Sequence, residues 1–593
     1  MFFQKLKNLK NHVINLLASD RDKNTYNGYV FHSTIENFQL LDSAFHIKIS
    51  VELISKKNFE VLCVVAKYRG MKKIEYEFDV NVKVNQKKGN VKRITSKIFL
   101  EDIDWEPIFW DLFIKVVVDS TVIYVRINNP KFRVNTNISK KEKYLYPLNE
   151  GKIIYPYFGS NKSLSFTIRK FDKYETKYYK LKEKLSIVLY SLMKFYFNRK
   201  KIWLIYEKFA ETAQDNAYFF FKYCIENEVP RNVYYVVKKE SNDICNLNGL
   251  EGNVVYFMSL RHLILLQACK IIISSEAKGH GYIWRANRGK IFKILNKKNQ
   301  VFLQHGVLGF KKIGDIFNNS SNSPNRVKLF VASSDFERDI IKQYFGYEEE
   351  KIVISGLARW DYLMDKSKGR SEILLMPTFR NWLEEVSEST FEHSTYFKEY
   401  SSLLKSDILS DFLLKSGTRL NFYLHPKLSN FIDMFSINNP NINIVRPGDK
   451  KINELIMQSS LLITDYSSVA WDMFYLKKPI VFFQFDYIEY MKRQGSYIDM
   501  TQELIGERVT DIPQLLNALE YYFASNFNEK LEHCILRKKY IEHIDNDNCY
   551  RLYKSILDNE KELTKNSLMV SIKQNEFIYE IWRLLKTILK NRG

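Results

Sequence analysis

Two hydrophobic periods divide the chain. Between residues 28 and 170 apolar and polar positions alternate, as in VIYVRI (122–127) and SLSFTIRKF (163–171), and turn-like stretches such as VNQKKGN separate similar runs. A period of two with such punctuation predicts strands, and their number predicts an antiparallel β-sandwich over 28–170. From Tyr174 to Lys200 the period lengthens. Leu181, Leu185, Val188, Leu189, Leu192 and Phe195 recur every three or four residues with lysines between them. That spacing predicts a basic helix, read as a linker over 171–200. Beyond it, short apolar strands alternate with helical stretches, the signature of parallel α/β sheets. The strands are KIWLIY, NVYYVVK, KIIIS, QVFLQ, VKLFVAS, KIVIS, EILLMP, LNFYLH, LLIT and IVFFQF. These exceed the five or six strands of a usual sheet. Two doubly wound, Rossmann-like domains are therefore expected, 201–365 and 366–558.

Both ends are basic and amphipathic. Residues 1–27 space their apolar positions with lysines (MFFQKLKNLKNHVINLLASD) and do not read as a secretory signal. The tail, 559–593, puts Phe577, Ile581, Leu584, Leu585 and Ile588 on one face and Arg583, Lys586, Lys590 and Arg592 elsewhere. Such a helix suits an anionic membrane surface, or packs on a core with its lysines solvated. No uncharged apolar run reaches the roughly 20 residues of a span. Leu185–Phe197 comes nearest and is interrupted by Lys194.

Composition narrows the function classes. A hydrophobic fraction of 45% in 593 residues excludes wholesale disorder. Ninety Lys and Arg against 68 Asp and Glu leave +22, which calls for a negative partner: nucleic acid, anionic lipid or a phosphorylated substrate. The six cysteines never form CxxC, so zinc ribbons and redox motifs are excluded, and inert thiols in a reducing compartment are expected. Asp102-Ile103-Asp104 and Asp545-Asn546-Asp547 have the spacing of a metal-binding carboxylate pair but read as loop acids.

In open α/β sheets ligands bind beyond the carboxyl ends of the strands. The polar residues found there are His305-Gly306 after QVFLQ, Thr378-Phe379-Arg380 after EILLMP, and His425-Pro426-Lys427 after LNFYL. Asp465-Tyr466-Ser467-Ser468 follow LLIT, and Asp486 follows IVFFQF. Two of only ten histidines thus occupy strand ends, one in each half. Thr464, Asp465, Ser467 and Ser468 fall where a helix begins, a setting that favours an anion. Neither GxGxxG nor GxxxxGK[ST] occurs. A base (His305), cations (Arg380, Lys427), a second histidine (His425) and an anion site suit transfer from a nucleotide-diphosphate donor, with no recognisable metal cluster.

At these residues the sequence resembles the CDP-glycerol glycerophosphotransferase family of teichoic acid and capsule enzymes. VFLQHGV, LLMPTFRNWL, FYLHPKL and LLITDYSSVAWDMFYLKKPIVFFQFD carry the resemblance, with ISGLARWDYL and MKRQGSYIDM as weaker pieces, over roughly 198–555. The resemblance implies a GT-B fold and transfer of a polyol phosphate, glycerol phosphate or ribitol phosphate, from a CDP-linked donor with release of CMP. It implies that His305 deprotonates the acceptor hydroxyl and that His425 contacts the donor phosphates. Arg380, Lys427, Thr464, Asp465, Ser467 and Ser468 would bind the donor. Asp472 matches the family's acid one turn into the next helix, where a cap or helix-surface role is equally open. No cofactor is implied. The implied partners are a lipid-linked polymer acceptor and the inner face of a bacterial membrane, with no nucleic acid; a homo-oligomer is left open. The chain departs from the family at Val307-Leu308-Gly309-Phe310, where HGTPLK is common, at Ala358 for a proline and at Phe379 for a tryptophan. A nucleotide-sugar glycosyltransferase of the same fold and a non-catalytic polyanion-binding module are the alternatives.

Overall fold

A computed structural model describes residues 24–564, apart from 27, 56, 70–72, 85–89, 102, 141–143, 160–161, 284–288, 315–316, 321–324, 370, 385, 387 and 436. The amphipathic segment expected at the N-terminus lies outside the described residues, except for its last few positions, as do the tail beyond 564 and Asp102. The chain forms two compact units, Met1–Lys180 with Trp284–Lys293, and Leu181–Ile283 with Ile294–Gly593.

In the first unit, period-two patterning produces two antiparallel sheets. One has five strands, in the order Asn24–Tyr26, Tyr29–Leu41, Ala44–Leu53, Val91–Phe99 and Val80–Val84. The other has seven, built on the long strand Ile108–Val118. Alternate residues of that strand, Trp110, Leu112, Ile114, Val116 and Val118, are buried. They share one core with Phe45, Ile47, Ile49 and Val51 of the other sheet. Burying one face of each sheet against the other is what the alternation requires.

The helix Lys177–Arg199 turns its sequence pattern outward. Ser186 is its buried residue, and its Oγ accepts from Gln267 Nε2 at 3.1 Å. Leu181, Leu185, Val188, Leu192 and Phe195 are exposed, Leu192 to 77% and Phe195 to 72%. No helix among the described residues is long and apolar enough to cross a membrane.

The second unit holds two parallel sheets. The first runs Val254–Tyr256, Val233–Val237, Trp203–Tyr206, Ile271–Ser274, Asn299–Phe302, Leu329–Ala332, Ile352–Ile354. The second runs Ile442–Val445, Arg419–Tyr423, Glu372–Leu375, Leu461–Thr464, Ile480–Phe483, Glu507–Val509. Each reverses direction beside its first strand, which creates a switch point between Trp203–Tyr206 and Ile271–Ser274 and another between Glu372–Leu375 and Leu461–Thr464. One core joins the halves: Phe310 stacks on Trp471 at 4.8 Å and Trp360 on Tyr475 at 4.6 Å. The helix Asn548–Asp558 returns to bury Cys549, Leu552 and Ile556 in the core of the first sheet.

Candidate functional site: a cleft between the two parallel sheets

The loop after Asn299–Phe302 is held from beneath. Gln304 adopts φ 61°, a conformation that costs a non-glycine residue about 1–3 kcal/mol. Its carbonyl accepts from Asn216 Nδ2 at 2.8 Å, and its own Nε2 donates to Val331 O and Glu337. Glu337, buried on the helix Asp335–Phe345, also accepts from the backbone N–H of Leu308 and Ser333, each at 2.6 Å. Burial pushes this carboxyl up to about 6, and those N–H donors limit the rise.

Next in sequence, His305 projects a half-exposed imidazole between two carboxylates. Nδ1 lies 2.7 Å from Asp215 Oδ2 and Nε2 lies 2.5 Å from Glu276 Oε1. Desolvation alone would lower the imidazole's pKa; hydrogen bonds to Asp215 and then Glu276 outweigh it and raise it to about 10. Asp215 is set by its neighbours. The Glu207 carboxylate accepts the N–H groups of Gln214, Asp215 and Tyr218 where the helix Asn216–Glu226 begins. Burial, then the Asp215 charge, raises Glu207 to about 7. Glu276 follows the strand Ile271–Ser274, at the switch point.

Arg359 ties this half to the other. Its Nε and Nη2 donate to the two oxygens of Asp472, each at 3.0 Å, and Nη1 donates to Asp215 Oδ1 at 3.1 Å and to the His305 carbonyl at 2.5 Å. Trp360 Nε1 adds a 2.8 Å bond to Asp472. Asp472 is therefore a buried anchor between the halves; a helix-surface position is ruled out by its 3% exposure.

The second half divides its expected donor ligands into two layers. Arg380 and Asp465 are 1% and 0% exposed. Arg380 spends its guanidinium on Asp465 at 2.9 Å, on Asp486 at 2.8 and 3.0 Å, and on the Thr378 carbonyl at 2.8 Å. Asp465 also accepts from the N–H groups of Thr378 and Tyr466 and from Tyr400 Oη. Thr464 Oγ1 donates to Met376 O. Arg380, Thr464 and Asp465 are thus engaged with one another's surroundings beneath the cleft floor, bracing its strand ends.

Above that floor a cavity of about 330 Å³ is lined by His305, Lys311, Thr378, Phe379, His425, Ser467 and Ser468, among others. Gly306 and Gly309 let the His305 loop approach the second half. A Cβ on Gly306 would lie 3.0 Å from Ser468 Cβ, and one on Gly309 would lie 2.7 Å from the Trp471 ring. The His425 ring packs on Phe379 at 4.5 Å, with Lys427 Nζ 4.6 Å and Lys311 Nζ 4.9 Å from the same ring. Lys427 also pairs with Glu384 at 2.8 Å. Burial, then Lys208, Lys427 and Lys311, lowers His425 to about 4, and burial with Lys427 lowers Lys311. The two histidines share a cavity with opposite surroundings, anionic for His305 and cationic for His425. Asp545, of the other acid pair, is taken by Arg551 at 2.8 Å. Among the described residues no group of three or more His, Cys, Asp or Glu is placed to hold a metal ion.

Sequence reasoning missed Asp215, Glu276, Lys311, Glu337 and Arg359. Glu276 was within reach of the strand-end rule, because it stands two residues beyond KIIIS. Arg359 lies inside ISGLARWDYL without a signal of what it binds.

Two parallel sheets whose switch points border one cation- and histidine-lined cleft define an α/β protein suited to an anionic ligand held between its halves. The chain belongs to the CDP-Glycerol:Poly(glycerophosphate) glycerophosphotransferase family, whose model matches residues 187–558. It is 29% identical over 383 residues to the minor teichoic acid biosynthesis protein GgaB of Bacillus subtilis, covering 62% of this chain and 41% of that one. It is 25% identical over 257 residues to the teichoic acid ribitol-phosphate polymerase TarL of Staphylococcus aureus, covering 39% of this chain and 43% of that one. The chain therefore spans about two fifths of the length of these relatives. A solved structure of the wall teichoic acid polymerase TagF aligns with 67% of this chain and 99% of its own, at 18% identity and a TM-score of 0.46.

Proposed function

We propose that the protein transfers a polyol phosphate, glycerol phosphate foremost, from a CDP-polyol to a hydroxyl of a lipid-linked wall teichoic acid or capsule polymer, releasing CMP. The observation that carries this reading is the pair of histidines in one cavity, His305 between carboxylates and His425 among lysines. The acceptor hydroxyl gives its proton to His305 Nε2, and its oxygen attacks the β-phosphorus of the donor. The bond from that phosphorus to the CMP oxygen breaks, and the electron pair leaves with CMP. Asp215 fixes the ring by holding Nδ1. Lys311, Lys427, His425 and the hydroxyls of Ser467 and Ser468 face the pyrophosphate, where charge gathers. The positive charge of Lys208, Lys427 and Lys311 around His425 favours a bound polyanion. Arg380, Thr464 and Asp465 act below this layer by fixing the strand ends. The two halves work as a GT-B-like pair, with the acceptor on the first and the CDP-donor on the second.

The exposed apolar stripe of Lys177–Arg199, interleaved with lysines, favours an anionic membrane surface as the place of action, at the cytoplasmic face. Names among the relatives include a ribitol-phosphate polymerase, so ribitol belongs in the test beside glycerol. The test is incorporation of labelled polyol phosphate into a lipid-linked primer on vesicles. Incorporation from CDP-glycerol or CDP-ribitol supports the reading. Incorporation from a UDP-sugar, and from neither CDP-polyol, overturns it.

A further inference from the structure

His305 has no free ring nitrogen. A base must present one to the acceptor hydroxyl, yet Nδ1 is taken by Asp215 and Nε2 by Glu276. The two carboxylates are held differently. Asp215 is locked from behind, because its other oxygen receives Arg359 Nη1, and Arg359 is clamped on Asp472. The second oxygen of Glu276 faces His280 Nδ1 at 3.8 Å, beyond hydrogen-bonding distance. His280 is itself fixed, its ring stacked on Phe209 at 4.1 Å and its Nδ1 accepting the Phe209 N–H at 3.4 Å, so it has no proton there to offer Glu276. Glu276 is thus the partner that can leave.

We propose that Glu276 gates His305: in the free protein its carboxylate occupies the place of the acceptor hydroxyl on Nε2, and acceptor binding displaces it. This rests on the reading of His305 as the base. The proton on Nε2 passes to Glu276 Oε1 as the carboxyl swings off, leaving a neutral imidazole with its remaining proton on Nδ1, toward Asp215. Nε2 then takes the hydroxyl proton while the acceptor oxygen bonds to the β-phosphorus and the phosphorus–CMP bond breaks. Loss of one proton to water afterwards restores the starting pair. Glu276 is a positioning residue in this scheme, acting through His305. The charged groups that bear on the pair are Asp215, Arg359 and Asp472 on one side, and His280 with Lys208 and Glu211 on the other.

The full chain is tested with Glu276→Gln, which keeps the shape, and Glu276→Ala, which empties the place. Without substrate, nitrogen-15 NMR of the histidine rings, assigned with His305→Asn, reads the gate directly. Wild-type His305 stays doubly protonated through pH 8, and both variants lose that proton at least one pH unit lower, a tenfold weaker hold. In turnover, Glu276→Ala lowers the acceptor KM at least threefold, leaves the donor KM within twofold, and moves the rising limb of the pH profile to lower pH. A His305 titration unchanged in both variants, or acceptor and donor KM rising together, overturns the proposal. If the wild type turns over no CDP-polyol, the functional reading fails, and the NMR titration alone decides for or against the gate.

Discussion

Replacing Asp472 by Asn tests whether the two halves are joined through a charged clamp. Arg359 and Asp472 are 5% and 3% exposed, and the guanidinium meets both carboxylate oxygens at 3.0 Å. The amide keeps the shape but removes the charge, and it turns an N–H toward the guanidinium. Breaking a buried pair by removing one partner costs about 3–5 kcal/mol. Arg359 retains Asp215 at 3.1 Å, so a cost at or just below the lower end of that range, roughly 2–3 kcal/mol, is expected here. With a denaturant slope of about 3 kcal/mol per M of urea, the unfolding midpoint falls by about 0.7–1 M. A double variant, Arg359→Met with Asp472→Leu, removes both charges and is expected to recover much of the loss, giving a coupling of about 2 kcal/mol or more in a double-mutant cycle. Urea unfolding followed by tryptophan fluorescence is the assay, because Trp360 and Trp471 flank the clamp. An Asp472→Asn midpoint indistinguishable from the wild type, or strictly additive single and double variants, would refute the clamp.

Gly309→Ala drives a Cβ to 2.7 Å from Trp471, and overpacking of this kind costs about 1–3 kcal/mol; an unchanged melting temperature would contradict the close approach. The ion-paired His305 stabilises the fold fully below about 6.5, its unfolded value, and that contribution is lost as pH rises through about 10. The stability gap between the wild type and His305→Asn is therefore expected to narrow from pH 6 to pH 10 in urea titrations. His425, lowered to about 4, is neutral at pH 7 in the free protein, and a pyrophosphate beside it favours the charged form. CDP-polyol binding is then expected to take up a proton and tighten from pH 8 to pH 5.5 in calorimetry, with the effect absent in His425→Ala. Leu192→Ser with Phe195→Ser removes exposed apolar surface and is expected to weaken sedimentation with anionic vesicles severalfold while leaving the unfolding midpoint in place.

The parallel sheets were legible because their strands are apolar on both faces. All ten runs read from 201 to 485 coincide with strands, from Trp203–Tyr206 to Ile480–Phe483. The three strands left out, Val254–Tyr256, Ile442–Val445 and Glu507–Val509, are short sheet edges whose half-exposed residues break the apolar run. The strand-end rule located His305, His425, Ser467 and Ser468 at one cavity. It could not separate these from Arg380, Thr464 and Asp465, because burial there depends on Asp486 and Tyr400, distant in sequence. Asp215, Glu276 and Arg359 reach His305 from three separate segments, and spacing along the chain carries no trace of such a meeting. The stripe on Lys177–Arg199 showed its period in the sequence but not its direction. Period alone reads as a core-facing side, whereas Ser186 faces inward and Leu181, Leu185 and Leu192 outward.

The most direct test of the account is CMP release by the purified chain. CDP-glycerol, CDP-ribitol and a panel of UDP-sugars are offered in parallel with a lipid-linked primer, and His305→Ala serves as the control. The account predicts CMP from a CDP-polyol, abolished in the control and absent without primer. Turnover of a UDP-sugar with none of either CDP-polyol, or CMP release undiminished in His305→Ala, would contradict it.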